Sequence, residues 1–449
     1  MVHLTSMLTQ HALSIDIPRL GPGVKESALR CVLDLLGSAI AGIATAGPVA
    51  TRAASAETLG PGAASIWMSG CTASPLSALL VNGSAACALD LDDGNRSARG
   101  HPGACVIPTV LTLSSTLPRI SADDVLAAII AGYDVGVRIA AAQNPAAIAT
   151  RQTGRWGAFA AAAAAGRLLR ADPLALAQAL AIAGVLAPNQ RANGSSGYSR
   201  VTGNLVKEGI AWSAALGLQA VYLAMHGYTG PIDILDHGRF YDARRICRGL
   251  GRRWEILDTY FKPYACCRYI HPALDAFFHL QDQYRFRAVE IDRVDVQIFH
   301  WALLLGNALE PQNTVALQYS LPYCLAVAAI EGREALLPIS TALIDRPDLA
   351  RFARNVHLFE DPVAERAFPR KTLARVIVTT RQGQRLVSPR VAPMGDPDRP
   401  MPREAIENKF RLVTRHAISP AKQEALIASV GALGNGNSDD LLRELASGS

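Results

Sequence analysis

Across roughly the first 230 positions, apolar residues recur every three or four places, which predicts a succession of helices. The stretch VKESALRCVLDLLGSAIAGI, 24–43, keeps that spacing and stops in a glycine-containing segment. SADDVLAAIIAGYDVGVRIAAA opens with Ser121, Asp123 and Asp124, residues that favour a helix start. The alanine run in GAFAAAAAAGRLL, 157–169, predicts a central buried helix that its neighbours approach closely. NLVKEGIAWSAALGLQAVYLAMHG reads as one more helix, ending at Gly227. Beyond residue 280 the period changes to two: AVEIDRVDVQIF alternates, and TLARVIVTTRQGQRLVSPRV reads as two strands joined at Gln382-Gly383. YSLPYCLAVAAIEG returns to helical spacing between them, and PREAIENKFRLVT and PAKQEALIASVGAL follow as closing helices. The pattern predicts a mainly α protein, with a large all-α domain over 1–265 completed by 405–449 and a smaller α+β lid domain over 266–404.

A chain of 449 residues exceeds what one core holds, and 50% apolar with 18% charged residues describes a folded protein rather than a tail. The net charge of +6 is weak, and the densest basic run, RRICRGLGRRW, lacks the interleaved aromatics of a strand-binding surface, so nucleic acid is set aside as a partner. The eight cysteines do not form the spaced pairs of a zinc site and read as reduced thiols of a cytoplasmic protein. The N-terminus has no basic start leading into an apolar core, and no stretch reads as a membrane span, so neither export nor anchoring is expected.

Against this apolar background, DLDDGNRSARGHPGAC, 90–105, concentrates charge. As the end of a helix finishing at Gly94, it would put Asp90 and Asp93 on one side and turn Asp92 away. Arg96, Arg99 and His101 follow, with His101 ahead of Pro102-Gly103 at a helix entrance, where main-chain N–H groups face an anion. Carboxylates and a histidine beside a cationic rim suit proton abstraction next to a substrate carboxylate, which needs an acid, a base and positive charge for the developing enediolate. DLDD also matches the general acid of terpene cyclases, but 6% aromatic residues would line a carbocation cavity poorly. RQTGRWG places Arg151, Thr153 and Arg155 at the entrance to the alanine helix. NLVKEGIAW places Lys207 and Glu208 within an apolar helix, as a desolvated base or a simple surface pair. FKPYACCRYIHPALDA gathers Lys262, Tyr264, Arg268, Tyr269 and His271 at the domain junction, with Cys266 and Cys267 read as packing.

ALDLDDGNRSARGHPGACVIP, GAFAAAAAAGRLL, VKEGIAW with GYTGP, KPYACCRYIHPALDA, QYSLPY and KFRLV, in this order, resemble the MmgE/PrpD family, which includes 2-methylcitrate dehydratase, cis-aconitate decarboxylase and iminodisuccinate epimerase. The resemblance implies a helical domain with a smaller lid, a homodimer, and an active site between the domains without cofactor or metal. It puts Asp93, His101, Lys207 and His271 on the active-site motifs as catalytic residues, with Tyr319 contributed by the lid. Arg96, Arg99, Arg151, Arg155, Arg268 and Lys262 lie in or beside the motifs as substrate-binding candidates, and guanidinium groups bind carboxylates bidentately, so the expected substrate is a small di- or polycarboxylate. Two departures stand out: Arg151 takes the place of a histidine in the lyase branches, and Asn95 that of the histidine in a DDGHR pattern. The expectation is therefore proton transfer α to a carboxylate, giving epimerisation as in iminodisuccinate epimerase. The alternatives are a dehydratase or decarboxylase of the same family, and a carboxylate-binding homologue without chemistry.

Overall fold

The computed structural model describes residues 2–150, 152–189 and 204–448. Among the described residues, nine helices of ten or more residues precede the sheet-bearing part: α1 (Leu4–Leu13), α2 (Pro22–Gly42), α3 (Ala46–Thr58), α4 (Pro75–Cys87), α5 (Pro102–Ser114), α6 (Ala122–Ala142), α7 (Thr153–Leu168), α8 (Pro173–Leu186) and α9 (Ile210–Met225), with shorter helices and turns between them and after. Their starts are encoded locally. Proline occupies the first turn of α2, α4, α5 and α8, where its missing N–H is not needed, and the side chains of Ser74, Ser121 and Asp172 accept N–H bonds at the caps of α4, α6 and α8.

The alanine run lies in α7, and every residue from Thr153 to Gly166 is buried. Small side chains let α6 and α9 close on it from two sides: a Cβ at Gly217 of α9 would stand 2.4 Å from the carbonyl oxygen of Ala158. Contrary to the sequence expectation, one stretch is long and apolar enough to cross a membrane. It is α6, and 94% of its most apolar window is buried inside the protein, so its composition is that of a core helix.

Two buried clusters organise the chain. The first runs from Leu4 to Phe261 and takes in Met401 to Leu445; the second runs from Tyr264 to Leu386 and takes in Leu89, Leu91 and Val413. The closing helices Arg403–Thr414 and Pro420–Gly434 lie against α2, on the helical side, and a last helix, Asp439–Ala446, which the pattern did not predict, buries Leu441 and Leu445.

Strands β1 (Ala64–Ile66) and β2 (Cys71–Ala73) form a small hairpin, while β3 (Gly94–Asn95) pairs with β4 (Thr259–Tyr260). The second part carries a sheet of β5 (Ile291–Ile298), β6 (Val356–Glu360), β7 (Ala374–Thr380) and β8 (Arg385–Val387), in the order β6-β5-β7-β8 with only β5 and β6 parallel. The predicted alternation in β5 appears as buried Ile291, Val294, Val296 and Ile298, and the turn between β7 and β8 falls where Gly383 has a φ of 82°. The helix His271–Tyr284 covers β7. The chain is thus mainly α with a smaller α+β part.

One buried ion pair ties the C-terminal helices to the rest. Lys409 Nζ donates to Asp34 Oδ1 of α2 at 2.7 Å and to the Leu91 carbonyl at 2.8 Å. Burial pushes the Asp34 carboxyl up, and Lys409 opposes that shift. Lys409→Met strands a buried carboxylate and should cost about 3–5 kcal/mol at neutral pH. Its Asp34 would then favour the protonated form in the fold, so the deficit should shrink as pH falls, and adding Asp34→Asn should recover much of it. Urea denaturation at neutral and acid pH checks both, and a loss under about 1 kcal/mol at neutral pH contradicts the pair's role.

Candidate active site

The DLDD segment is not the end of a helix. α4 stops at Cys87, and Asp90 adopts a left-handed backbone with φ 54°, which turns the three carboxylates in three directions. All are buried, at 3% exposure or less. The three therefore need three separate sets of partners.

Asp90 takes two ammonium groups: Lys262 Nζ lies 3.1 Å from its Oδ2 and Lys207 Nζ 3.5 Å from its Oδ1. Lys262 also donates to the Asp90 carbonyl at 3.0 Å. Burial alone would raise the Asp90 carboxyl; Lys262, Lys207 and His101 outweigh it and hold the group well below the carboxylate range. Burial would likewise lower the Lys262 ammonium, but Asp90 and Asp92 raise it above its ordinary value.

Asp92 faces His101, with its Oδ2 2.9 Å from Nδ1. His101 is the residue ahead of α5, as the sequence predicts. Burial pulls its pKa down, but the Asp92 carboxylate, helped by Asp90, more than compensates and the net shift is upward. No described residue bonds its Nε2.

Asp93, expected beside them, faces the other way. Its Oδ1 accepts the Gly103 N–H at 3.0 Å, in the first turn of α5, and its Oδ2 accepts the Tyr133 hydroxyl at 2.5 Å. Burial raises its carboxyl to about 7. Both oxygens are spent on helix packing.

Lys207 does not lie in a helix either. Lys207, Glu208 and Gly209 have φ of 46°, 60° and 72°, and α9 begins only at Ile210. A left-handed backbone costs a non-glycine residue about 1–2 kcal/mol, so other contacts must hold it. The Lys207 ammonium donates to Gln318 Oε1 at 2.9 Å and sits 5.2 Å from the centroid of the Tyr319 ring. Gln318 in turn donates to the Ala88 carbonyl at 3.3 Å. Burial, with Asp90 and Glu208, pushes the Tyr319 phenol well up, so it stays protonated. Lys207 is buried and does not pair with Glu208, which replaces the surface-pair alternative.

The remaining candidates divide by what already holds them. His271 is fully buried; its Nε2 donates to the Cys266 carbonyl at 3.1 Å and its Nδ1 accepts from Arg268 at 3.2 Å. Burial, Arg268 and Lys262 keep it neutral, so the expected catalytic position is a bonded ring with no free nitrogen. Arg96 and Arg268 share one carboxylate of the protein itself, Asp396, and Arg96 further bonds the Arg370 carbonyl and the Thr372 hydroxyl. Arg155 spends its guanidinium on the carbonyls of Gly184 and Ala187 and the Tyr241 hydroxyl. Arg99 differs: half-buried and 5.6 Å from the centroid of Phe368, it has no carboxylate or carbonyl partner among the described residues. Arg151 lies outside the described residues.

Asn95 points into its own loop. Its Oδ1 accepts the N–H groups of Ser97 and Ala98, and its Nδ2 donates to the carbonyls of Glu255 and Asp258. Its departure from the expected histidine therefore braces the loop beside β3 and β4.

The ligand atoms of Asp90, Asp92 and His101 lie within 4.8 Å of one another, the one group among the described residues with metal-binding spacing. Two ammonium groups already neutralise Asp90, so the cluster carries its positive charge on side chains. The sequence singled out Asp90, Asp92 and Glu208 without giving them a catalytic or binding role, and Gln318 was not singled out. The signal for Gln318 was a polar residue inside the apolar run TVALQYSLPY, next to the chosen Tyr319.

The arrangement offers an acid, His101 backed by Asp92, next to two ammonium groups and a phenol, which suits an anion whose carbon must gain or lose a proton. Comparison with known proteins agrees in kind. The chain is 28% identical over 385 residues to a cis-aconitate decarboxylase from Aspergillus terreus, covering 78% of this chain and 77% of that protein. It is 25% identical over 378 residues to cis-aconitate decarboxylase from Mus musculus, covering 79% and 75%. A cis-aconitate decarboxylase-like protein from Aspergillus oryzae is 26% identical over 234 residues, 47% of each chain. Residues 6–244 match the family model of the MmgE/PrpD N-terminal domain and residues 264–434 that of the MmgE/PrpD C-terminal domain. With both halves matched around one acid–ammonium cluster, the chain belongs to the MmgE/PrpD family and is an enzyme of it.

Proposed function

We propose that the protein is a lyase that removes one carboxyl group from a small unsaturated polycarboxylate as carbon dioxide, and that it works as a homodimer. The observation carrying this reading is the His101–Asp92 pair set against the Asp90–Lys207–Lys262 cluster. The decarboxylase relatives support it, and Asn95, occupied in its loop, no longer argues for the epimerase branch. As the C–C bond breaks, its electron pair stays on the substrate carbon and spreads into a neighbouring double bond or carboxylate. The Lys207 and Lys262 ammonium groups stabilise that charge. Protonated His101 delivers its Nε2 proton to carbon, Asp92 stabilises the imidazolium beforehand, and water reprotonates the ring afterwards. Arg99, with no carboxylate or carbonyl partner among the described residues, takes a second carboxylate, and Tyr319 closes the Lys207 side. Asp93 and His271 hold elements in place in this reading.

Epimerisation remains as a second reading because Arg151 stands where the lyase branches carry a histidine. Incubating the protein with cis-aconitate and related di- and tricarboxylates in deuterated water separates the two by NMR. The lyase reading expects one carbon dioxide per turnover and deuterium on the carbon of the product that receives the proton. Deuterium entering a substrate that keeps all its carboxyl groups would sink it in favour of epimerisation, and binding without either change would favour a carboxylate-binding homologue.

Four substitutions follow. His101→Gln and Lys207→Met should fold and lose roughly 10²–10⁴-fold in turnover. Activity that needs protonated His101 falls as pH rises through its raised pKa, so Asp92→Asn should move the alkaline limb of kcat/KM to lower pH by about 1–3 units. An unmoved limb would remove Asp92 from the acid. Arg99→Met should raise KM roughly tenfold or more with kcat nearly kept, as loss of a charge-assisted hydrogen bond predicts. An unchanged KM for every polycarboxylate tried would exclude it as the anchor.

A further inference from the structure

Lys207 and His101 arrive from distant parts of the chain, and both are tied to the same spot, the first turn of α7. Glu208 Oε2 accepts the Thr153 N–H at 3.0 Å and the Thr153 hydroxyl at 3.1 Å. That hydroxyl oxygen accepts the main-chain N–H of His101 at 3.1 Å. Contact continues through the backbone: a Cβ on Gly154 would stand 2.2 Å from the Glu208 carbonyl oxygen, so only glycine lets the 207–209 turn seat against α7. A carboxylate at a helix N-terminus meets free N–H groups and the positive end of the dipole, which fixes it there.

The sequence around this turn has helical spacing, and α9 begins immediately after it. Left to local preference, Lys207 would continue α9 backwards and its side chain would leave Gln318 and Asp90. Some contact must hold the left-handed backbone, and beside the Lys207 ammonium itself, which bonds Gln318 and Asp90, the Glu208 side chain anchors the turn to the first turn of α7.

We propose that Glu208 is a positioning residue: through Thr153 it locks the strained Lys207 turn and the His101 backbone to one helix terminus, so that ammonium and imidazole keep a fixed separation. This rests on the proposed roles of Lys207 and His101, but its structural part does not depend on the reaction. Glu208 touches neither reacting group's ring or ammonium, so its effect passes through geometry.

The test uses Glu208→Ala, Glu208→Gln and Thr153→Val in the full-length protein, with two readouts. The first needs no substrate: acetylation of Lys207 by acetic anhydride, followed by mass spectrometry. Wild type should label slowly, Glu208→Ala several-fold faster, and Glu208→Gln, which keeps an accepting oxygen, near wild type, all with little change in Tm. The second, on whichever substrate is turned over, should give a kcat lowered roughly 10–100-fold in Glu208→Ala with KM little changed, a smaller loss in Thr153→Val, and recovery of most of kcat in Glu208→Gln. If Glu208→Ala labels like wild type, the anchor is refuted whatever the reaction is. If it does not fold, Thr153→Val decides in its place, and wild-type labelling and kcat there refute the proposal. Faster labelling in a protein inert toward every polycarboxylate would keep the anchor and discard the proposed reaction.

Discussion

A carboxylate sealed from water must find positive charge, and the Asp90 side chain finds it twice. Its two ammonium partners come from the turn before α9 and from the segment after β4, and Gln318, on the α+β side, holds one of them. Four stretches of chain therefore meet because one buried anion needs company. The desolvation of three ions is repaid only while all are present, since removing one partner of a buried pair typically costs about 3–5 kcal/mol. The same arrangement that makes the junction expensive to break gathers ammonium groups at the proposed substrate site.

Around this cluster the backbone carries the strain. Asp90 and the Lys207–Glu208 pair occupy left-handed conformations, and each presents a charged side chain that a regular helix would have pointed elsewhere. The pairing of Gly94 with Tyr260 brings the DLDD loop alongside the chain leading to Lys262. Burying Asp93 beneath α5 separates it from Asp92 and leaves Asp92 to face His101.

Much of the fold was legible in the chain. The helical periods of α2, α6 and α7, the alternation of β5 and the turn at Gly383 follow from local rules that tertiary contacts reinforce. The parallel strand Val356–Glu360 escaped because five residues with two exposed at the end make no clear alternation. Of the site, His101, Lys207 and Lys262 were readable as charge inside apolar sequence. Their partners were less so: a single left-handed residue decides which of three aspartates faces the histidine, and no periodicity records it. The Lys207 turn was hidden for the opposite reason, since the apolar spacing runs straight through it.

The carboxylate of Asp396 is shared by Arg96 and Arg268, which precede it in the chain by 300 and 128 residues. These three side chains form one charge set. A change at Asp396 alone would leave two guanidinium groups with neutral partners but without their shared counter-ion, and a change at either arginine would leave the carboxylate with one cation fewer. An aspartate that looks like an unremarkable loop residue thus sets the charge balance of two arginines far from it in the chain.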